Sequence, residues 1–225
     1  MFLDLIKTSQ DILDIGCGPH LAFWYSSVPR NTKLTAIDLF FSPAMKRRDF
    51  SLYKMDALDL DKCKKTLKVI ELKNGKEFSR KVDWKKKFDL VVASHIFEHV
   101  NAPKRLARGI SIIAQKSAFV YIAIPDPNNF TEKFYHLIHP EGGGHVVKIR
   151  KQEMIKLMKK NGFLLVKYQD LPDDWLWLKK LYNWKRRGIK YFSQKDLDYI
   201  ANTFVKELTP EKGYFYGGEY IFKKK

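Results

Sequence analysis

The residues best suited to chemistry form a glycine-rich turn near the start of the chain. The segment Ile12-Leu13-Asp14-Ile15-Gly16-Cys17-Gly18-Pro19 has the pattern of an apolar strand running into a turn, where glycines let the backbone approach a ligand closely. Asp38 ends the next apolar stretch, 22 residues after Gly16, where a carboxylate can accept both hydroxyls of an adenosine ribose. The spacing therefore predicts a nucleotide-binding site.

Two details of this turn disfavour a nicotinamide dinucleotide. A pyrophosphate needs a third glycine and a helix N-terminus, but Pro19 and His20 stand where that glycine would be. Asp14 precedes the first glycine, and a carboxylate there suits a cofactor that carries a cationic sulfonium and an ammonium group.

The chain resembles the class I S-adenosylmethionine-dependent methyltransferases, especially the group called type 11 or type 23, across nearly its whole length. The resemblance begins with the glycine turn and Asp38 and continues with Asp56, which follows the third apolar stretch. After the fourth, His95-Ile96-Phe97-Glu98-His99-Val100 is close to the group's usual helix start, which has Glu-His and a hydrophobic residue. Ile124-Pro125-Asp126-Pro127-Asn128 after the fifth also matches.

The resemblance implies a site for S-adenosylmethionine, with S-adenosylhomocysteine as the product. It assigns the methionine part of the cofactor to the glycine turn, the ribose to Asp38 and the adenine amino group to Asp56. The full set of expected cofactor-binding residues is Asp14, Gly16, Gly18, Asp38, Leu39, Asp56, Ala57 and Ser94. For the three aspartates, the alternative interpretation is ordinary capping of a helix N-terminus.

Apolar runs that alternate with helical stretches predict the βαβ units of a parallel sheet. The strands are expected at Asp11–Ile15, Lys33–Asp38, Ser51–Met55, Phe88–Ala93, Ala118–Ile124, Phe163–Tyr168 and Glu219–Phe222. Together with the resemblance, they give an α/β, Rossmann-like sheet of seven mostly parallel strands, with helices on both faces. The expected order is 3-2-1-4-5-7-6, with the last strand antiparallel.

We expect a single domain over residues 1–225 with two additions. A basic insert at 58–87 follows the third strand, and its residues 62–87 hold eleven Lys or Arg against three acids. A Trp-rich helical insert at 171–213 separates the last two strands and carries three of the five tryptophans. Either insert is a candidate contact for the acceptor, or a solvated face or packing layer.

Methyl transfer is an in-line displacement at an activated carbon, so the protein supplies alignment and, for a hydroxyl acceptor, a base. Four histidines are candidates: His95, His99, His139 and His145. His95 and His99 are expected to share a helical face at i and i+4, whereas His139 and His145 flank a triple-glycine loop. We predict His99 and His145 as catalytic. The alternatives are a helix-start histidine bonded to backbone and a plain turn, respectively.

One competing motif is present. His95-Ile96-Phe97-Glu98-His99 matches the H-x-x-E-H pattern, in which two histidines one turn apart bind zinc and the glutamate acts as a base. The motif follows a buried strand in a cofactor-binding framework, and the sequence identifies no third ligand. We therefore predict no metal ligands and rank a zinc hydrolase far below a methyltransferase.

The net charge of +17, from 42 basic and 25 acidic residues, would attract nucleic acid, anionic membrane surfaces or acidic metabolites. Much of this excess is lysine, which also serves solubility. No apolar run approaches the length of a transmembrane span, and Cys17 and Cys63 provide no disulfide framework. We therefore predict a cytoplasmic protein with two reduced thiols.

The acceptor is the least constrained part of the prediction. The resemblance suggests a small molecule, a lipid or a glycan, methylated at oxygen rather than nitrogen. The end of the fourth strand, Ala93-Ser94-His95-Ile96, lacks the Asn/Asp-Pro-Pro-aromatic motif of related amino-methylating DNA enzymes. The alternatives are an RNA methyltransferase, whose basic and aromatic inserts would hold phosphates and stack bases, and a non-catalytic cofactor-binding protein.

Overall fold

The computed structural model describes residues 2–18, 23–40, 50–73, 76–127, 145–172 and 215–225. Three α-helices are present there: α1 (Phe2–Thr8), α2 (Pro103–Ile113) and α3 (Lys151–Lys160). Short 3-10 helices occur at Phe23–Ser27, Ala57–Lys62 and Phe97–His99. The strands are β1 (Asp11–Ile15), β2 (Lys33–Asp38), β3 (Phe50–Lys54), β4 (Leu67–Lys73), β5 (Lys76–Val82), β6 (Phe88–Ser94), β7 (Ala114–Pro125), β8 (Phe163–Pro172) and β9 (Phe215–Lys224).

All nine strands form one sheet in the order β5-β4-β3-β2-β1-β6-β7-β9-β8. The five strands from β3 to β7 through β1 are parallel, and β9 is antiparallel to both of its neighbours. The α/β fold, the order of the seven predicted strands and the antiparallel last strand are therefore confirmed. The predicted number of strands was wrong, because β4 and β5 add an antiparallel hairpin beyond β3.

The extra hairpin occupies much of the predicted basic insert at 58–87. All of β5 except its last residue is exposed, and charged side chains such as Lys76, Arg80 and Lys81 cover this edge of the sheet. A run of mostly charged residues does not alternate between apolar and polar side chains, and that alternation is the pattern by which a strand is predicted. The sequence therefore did not indicate strands here. Lysine-rich edges are also a common protection against pairing with another chain.

The core lies in two layers, one on each face of the sheet. Along β1, Leu13 and Ile15 point to one face, and Ile12 points to the other, as the two-residue period of a strand requires. The first face is covered by α2 and α3. The second is covered by α1 and the 3-10 helix Phe23–Ser27. Helices on both faces are therefore confirmed.

The carboxyl end of β3 is fixed by a close approach between α2 and the 3-10 helix Ala57–Lys62. A Cβ atom added to Gly109 in α2 would lie 2.7 Å from the Cβ of Leu60, so only glycine permits this approach. Arg105 and Arg108 donate to the Asp61 carboxylate at 2.8 and 2.6 Å. This packing sets the position of the residues that follow β3.

The last strand of the sheet is also tied to α2. The Lys224 ammonium donates to the main-chain oxygens of Ser111 and Ala114, at 2.5 and 2.8 Å. A cation at a helix C-terminus satisfies carbonyls that have no partner within the helix. Because β9 pairs with both β7 and β8, this contact links α2 to the centre of that half of the sheet.

Most of the predicted Trp-rich insert, residues 173–214, lies outside the described residues. Both cysteines are buried free thiols. None of the helices in the described part of the chain is long and apolar enough to cross a membrane.

Candidate functional site

A cavity of about 360 Å³ opens at the carboxyl ends of β1, β2, β3 and β6. This edge is where open α/β sheets bind their ligands. The cavity wall includes seven of the predicted site residues: Gly16, Gly18, Asp38, Leu39, Asp56, Ala57 and His99. Predicted residues from the ends of four separate strands are thus brought to one place.

The glycine turn forms the part of the wall beyond β1. Gly16 and Gly18 have φ angles of +73° and +70°, in the left-handed region that glycine adopts most readily. The Gly16 N–H donates to the Ile37 carbonyl at 2.9 Å, which ties the turn to β2. A Cβ on Gly16 would lie 2.9 Å from Cδ1 of Ile96, so this position is restricted by space as well as by conformation.

Asp38 is held by main-chain donors on both of its carboxylate oxygens. The Gly18 N–H donates to Oδ2 at 2.8 Å, and the Phe40 N–H donates to Oδ1 at 3.0 Å. Each oxygen keeps a further lone pair, since a carboxylate oxygen can accept two hydrogen bonds. The side chain is therefore fixed in orientation at the cavity and still able to accept hydroxyl groups.

Asp56 both caps a 3-10 helix and lines the cavity. Its Oδ1 accepts from the Leu58 N–H at 2.8 Å, so Asp56 caps the 3-10 helix Ala57–Lys62. It also lines the cavity and is exposed. The capping interpretation of this residue thus holds, and the same side chain belongs to the cavity wall. Capping fixes the carboxylate rather than removing it from the site.

The structure does not bring Asp14 or Ser94 to the cavity wall. Asp14 is buried beneath the turn, where its Oδ2 accepts from the Tyr25 hydroxyl at 2.5 Å. Burial raises the pKa of this carboxyl to about 7, despite the opposing effect of the Tyr25 hydrogen bond. Asp14 is thus placed to support the turn from below, and a direct contact with a cofactor stays a prediction for both residues.

The prediction that His95 and His99 share a helical face was wrong. The 3-10 helix spans only Phe97–His99, and His95 precedes it with a φ of +53°. Its N–H donates to the Ala123 carbonyl at 2.8 Å, which holds this strained residue against β7. The H-x-x-E-H pattern therefore lacks the helical spacing that its zinc-protease interpretation requires.

His145 lies against His99, with ring centroids 4.7 Å apart and planes inclined by 79°. The contact is fixed by the backbone, because the N–H groups of Val146 and Val147 donate to the Glu98 carbonyl at 2.8 and 3.2 Å. His145 is buried, whereas His99 is exposed at the cavity. The two predicted catalytic histidines are thus neighbours, whereas His139 lies outside the described residues.

Several cavity residues were missed by the sequence analysis. Ile96 packs against Gly16, and Met55 and Val100 complete the apolar wall. Phe40 lies at the rim with 77% of its surface exposed, which leaves an apolar ring for a ligand to cover. The type of an apolar residue does not indicate a binding role in a sequence. For Phe40 the available signal was its position directly after the predicted pair Asp38-Leu39.

Comparisons with known proteins place these features in a family. A family model described as "Methyltransferase domain", type 23, matches residues 1–203. No curated protein matches the chain in sequence. Among solved structures, an S-adenosylmethionine-dependent methyltransferase from Archaeoglobus fulgidus superposes with a TM-score of 0.62 at 17% identity, covering 99% of this chain and 90% of that chain.

Two other structures show the same fold. A putative sarcosine dimethylglycine methyltransferase from Galdieria sulphuraria has a TM-score of 0.62 at 11% identity, over 99% of this chain and 81% of that chain. A 1,6-didemethyltoxoflavin N1-methyltransferase from Burkholderia thailandensis, solved with S-adenosylhomocysteine, has a TM-score of 0.54 at 12% identity, over 98% and 73%. The family match over most of the chain confirms the resemblance: the protein belongs to the type 23 methyltransferase family and is a class I S-adenosylmethionine-dependent methyltransferase.

Proposed function

We propose that the cavity holds S-adenosylmethionine and that the protein transfers its methyl group to an oxygen atom of a small molecule, a lipid or a glycan. The observation that carries the cofactor part of this proposal is the carboxylate of Asp38, fixed at the cavity by the N–H groups of Gly18 and Phe40. A carboxylate oriented in this way suits the two hydroxyls of an adenosine ribose.

The rest of the cavity suits the remaining parts of the cofactor. Asp56 lies where it can accept from an adenine amino group, and Leu39 and Ala57 supply apolar contacts for the ring. The glycine turn has no side chains at Gly16 and Gly18, so the methionine part can approach its main chain. Asp14 would stabilise this turn through its buried hydrogen bond with Tyr25. We assign Ser94, at the end of β6, to the same part of the cofactor.

The acceptor would approach from the side of His99. This imidazole lines the cavity, and His145 packs against it. An in-line displacement at the methyl carbon needs an acceptor oxygen opposite the sulfonium and a place for the hydroxyl proton. We assign His99 and His145 to that proton, and the methyl group moves as the carbon–sulfur electron pair returns to sulfur.

Titration of the purified chain with S-adenosylhomocysteine, S-adenosylmethionine and NADH tests the cofactor assignment. Micromolar binding of the two sulfur compounds without binding of NADH is expected. Transfer of a labelled methyl group to fractionated lipids, glycans and small metabolites then identifies the acceptor class. Labelling at nitrogen would overturn the oxygen assignment, and cofactor binding without transfer to any fraction would favour the non-catalytic alternative.

RNA is a second candidate acceptor because of one basic surface. A groove between α2 and α3 is lined by Lys104, Arg105, Arg108, Lys156 and Lys160, with Glu153 as its acidic member. Phosphate binding there would weaken steeply as salt rises. Salt-sensitive RNA binding that is lost when Lys156 and Lys160 are changed to Gln, together with methyl transfer to RNA, would favour this candidate. Salt-independent or absent binding would exclude it.

A further inference from the structure

Three side chains capable of binding a metal converge beside the cofactor cavity. Glu98, His99 and His145 each place one ligand atom within 4.8 Å of the others. Glu98 and His145 are buried, and His99 reaches the cavity wall. We propose that these three residues bind a divalent transition-metal cation, for which zinc is the best fit.

The carboxylate of Glu98 supplies an independent argument. One oxygen, Oε1, lies 3.1 Å from Nδ1 of His95. The other, Oε2, is buried and has no hydrogen-bond partner among the described residues, in a side chain that is only 3% exposed. Burying a polar or charged group without a partner is costly, so such an oxygen indicates a missing partner group, either a hydrogen-bond donor or a cation. A metal ion would provide that group.

A single water molecule is the competing explanation. A cavity of about 10 Å³, lined in part by Glu98, Ile124 and Val147, is close to the minimum space for one water. A water would satisfy Glu98 alone, whereas a metal ion would bind all three of the side chains that converge there. The combination of two histidines and one glutamate is a common ligand set of catalytic zinc, with the fourth position open to a water or substrate.

The geometry permits closure around an ion with small side-chain adjustments. Tetrahedral zinc with bonds of about 2.0–2.1 Å holds its ligand atoms about 3.4 Å apart. The observed separations of up to 4.8 Å therefore need a contraction through side-chain rotation. The backbone is already in place, because Val146 and Val147 bond to the carbonyl of Glu98 and hold His145 beside it.

A metal at this position would refine the proposed function, on which this step rests. His99 borders the cavity, so the open coordination position would face the acceptor. A hydroxyl oxygen bound there would have a lower pKa and would release its proton to water. That oxygen would then attack the methyl carbon, and the carbon–sulfur bond would break with its electron pair returning to sulfur. His99 and His145 would thus act on the acceptor proton through the metal.

The test measures metal binding directly on the full chain. After treatment with a chelator, the protein is titrated with Zn²⁺ by calorimetry, and Co²⁺ is added to a second sample to read the visible absorption of a tetrahedral site. One equivalent should bind, and Glu98→Gln or His145→Gln should each weaken binding at least tenfold and abolish the Co²⁺ spectrum. Glu77→Gln is the matched control, because Glu77 is an exposed glutamate on β5.

S-adenosylhomocysteine binding is measured on the same samples, so that the metal site and the cofactor site are judged separately. Cofactor binding retained in Glu98→Gln would show that the variant is folded and that only the metal is lost. Absence of stoichiometric Zn²⁺ binding by the wild type, or equal binding by Glu98→Gln, would overturn the metal site. Neither result would affect the cofactor assignment.

Discussion

The Asp38 carboxylate accepts a hydrogen bond from the main-chain N–H of Gly18 at 2.8 Å, so one side chain joins the glycine turn to the end of β2. Its other oxygen accepts from the Phe40 N–H. The proposed ribose ligand is therefore also a structural brace of the turn. A change at Asp38 should alter both the cofactor contact and the shape of the surface that receives the cofactor.

We expect Asp38→Asn to weaken S-adenosylhomocysteine binding by at least about 1.5 kcal/mol, which is more than tenfold. The amide keeps the shape of the side chain but removes its charge and turns one acceptor into a donor that faces a main-chain N–H. Calorimetric titration gives the dissociation constant. Asp83→Asn, at an exposed aspartate distant in sequence from the turn, should bind normally. Unchanged affinity in Asp38→Asn would remove this residue from the site.

Gly16→Ala and Gly18→Ala form a matched pair. Both positions have φ near +70°, so both variants should lose about 1–2 kcal/mol of unfolding free energy to the left-handed conformation. Only the new methyl group at Gly16 meets a neighbour, Ile96, whereas the Cβ position at Gly18 is open. Urea unfolding should therefore show a larger loss for Gly16→Ala.

Combining Gly16→Ala with Ile96→Ala tests the cause of that difference. Because the smaller side chain makes room for the methyl group, the double variant should be more stable than the sum of the two single losses predicts. Strict additivity in urea unfolding would mean that contact with Ile96 does not limit this position.

Asp14→Asn should change how stability depends on pH. The folded-state pKa of Asp14 is raised to about 7, so its contribution to stability is greatest below pH 4 and declines as the pH rises through 7. The variant has no charge to bury. Relative to wild type, it should gain at least about 1 kcal/mol between pH 4 and pH 8. Denaturant unfolding across this range checks the slope, and equal slopes for both proteins would contradict it.

Asp61→Asn should have the opposite pH dependence. Hydrogen bonds from Arg105 and Arg108 lower the pKa of Asp61, so its contribution is present near neutral pH and is lost as the pH falls through the lowered value. We expect the variant to be less stable than wild type by about 1 kcal/mol at pH 7, with the difference shrinking below pH 4. A constant difference over that range would show that the arginine contacts are not its source.

Several predicted cofactor residues line one cavity, and they could be named from the sequence because their signals are local. A glycine turn, an acid at the end of the next strand and an apolar pattern of period two each lie within a short segment. Asp38 was identified in this way, whereas the role of Asp56 followed from the family resemblance. The parallel order of the strands followed from the family resemblance. The β4–β5 hairpin was missed because exposed charged strands such as β5 lack apolar alternation.

The surroundings of the two predicted catalytic histidines depended on contacts that no local pattern records. His145 reaches His99 because the N–H groups of Val146 and Val147 bond to the carbonyl of Glu98, which lies 48 and 49 positions before them. His95 adopts a φ of +53°, which is uncommon for a histidine. Because this conformation is not helical, His95 cannot belong to the predicted helix. The burial of Glu98 could not be predicted from the sequence either, because glutamate is rarely buried.

The position of β9 between β7 and β8 has a consequence for how the protein is made. β8 is synthesised before β9, yet the described sheet gives it no other partner strand. While residues 173–214 are being added, β8 lacks the strand with which it pairs in the described sheet, and the outer side of β7 lacks its neighbour β9. The sheet should therefore not extend beyond β7 until residues 215–224 leave the ribosome. A chaperone that shields exposed strand edges would find its target during that interval.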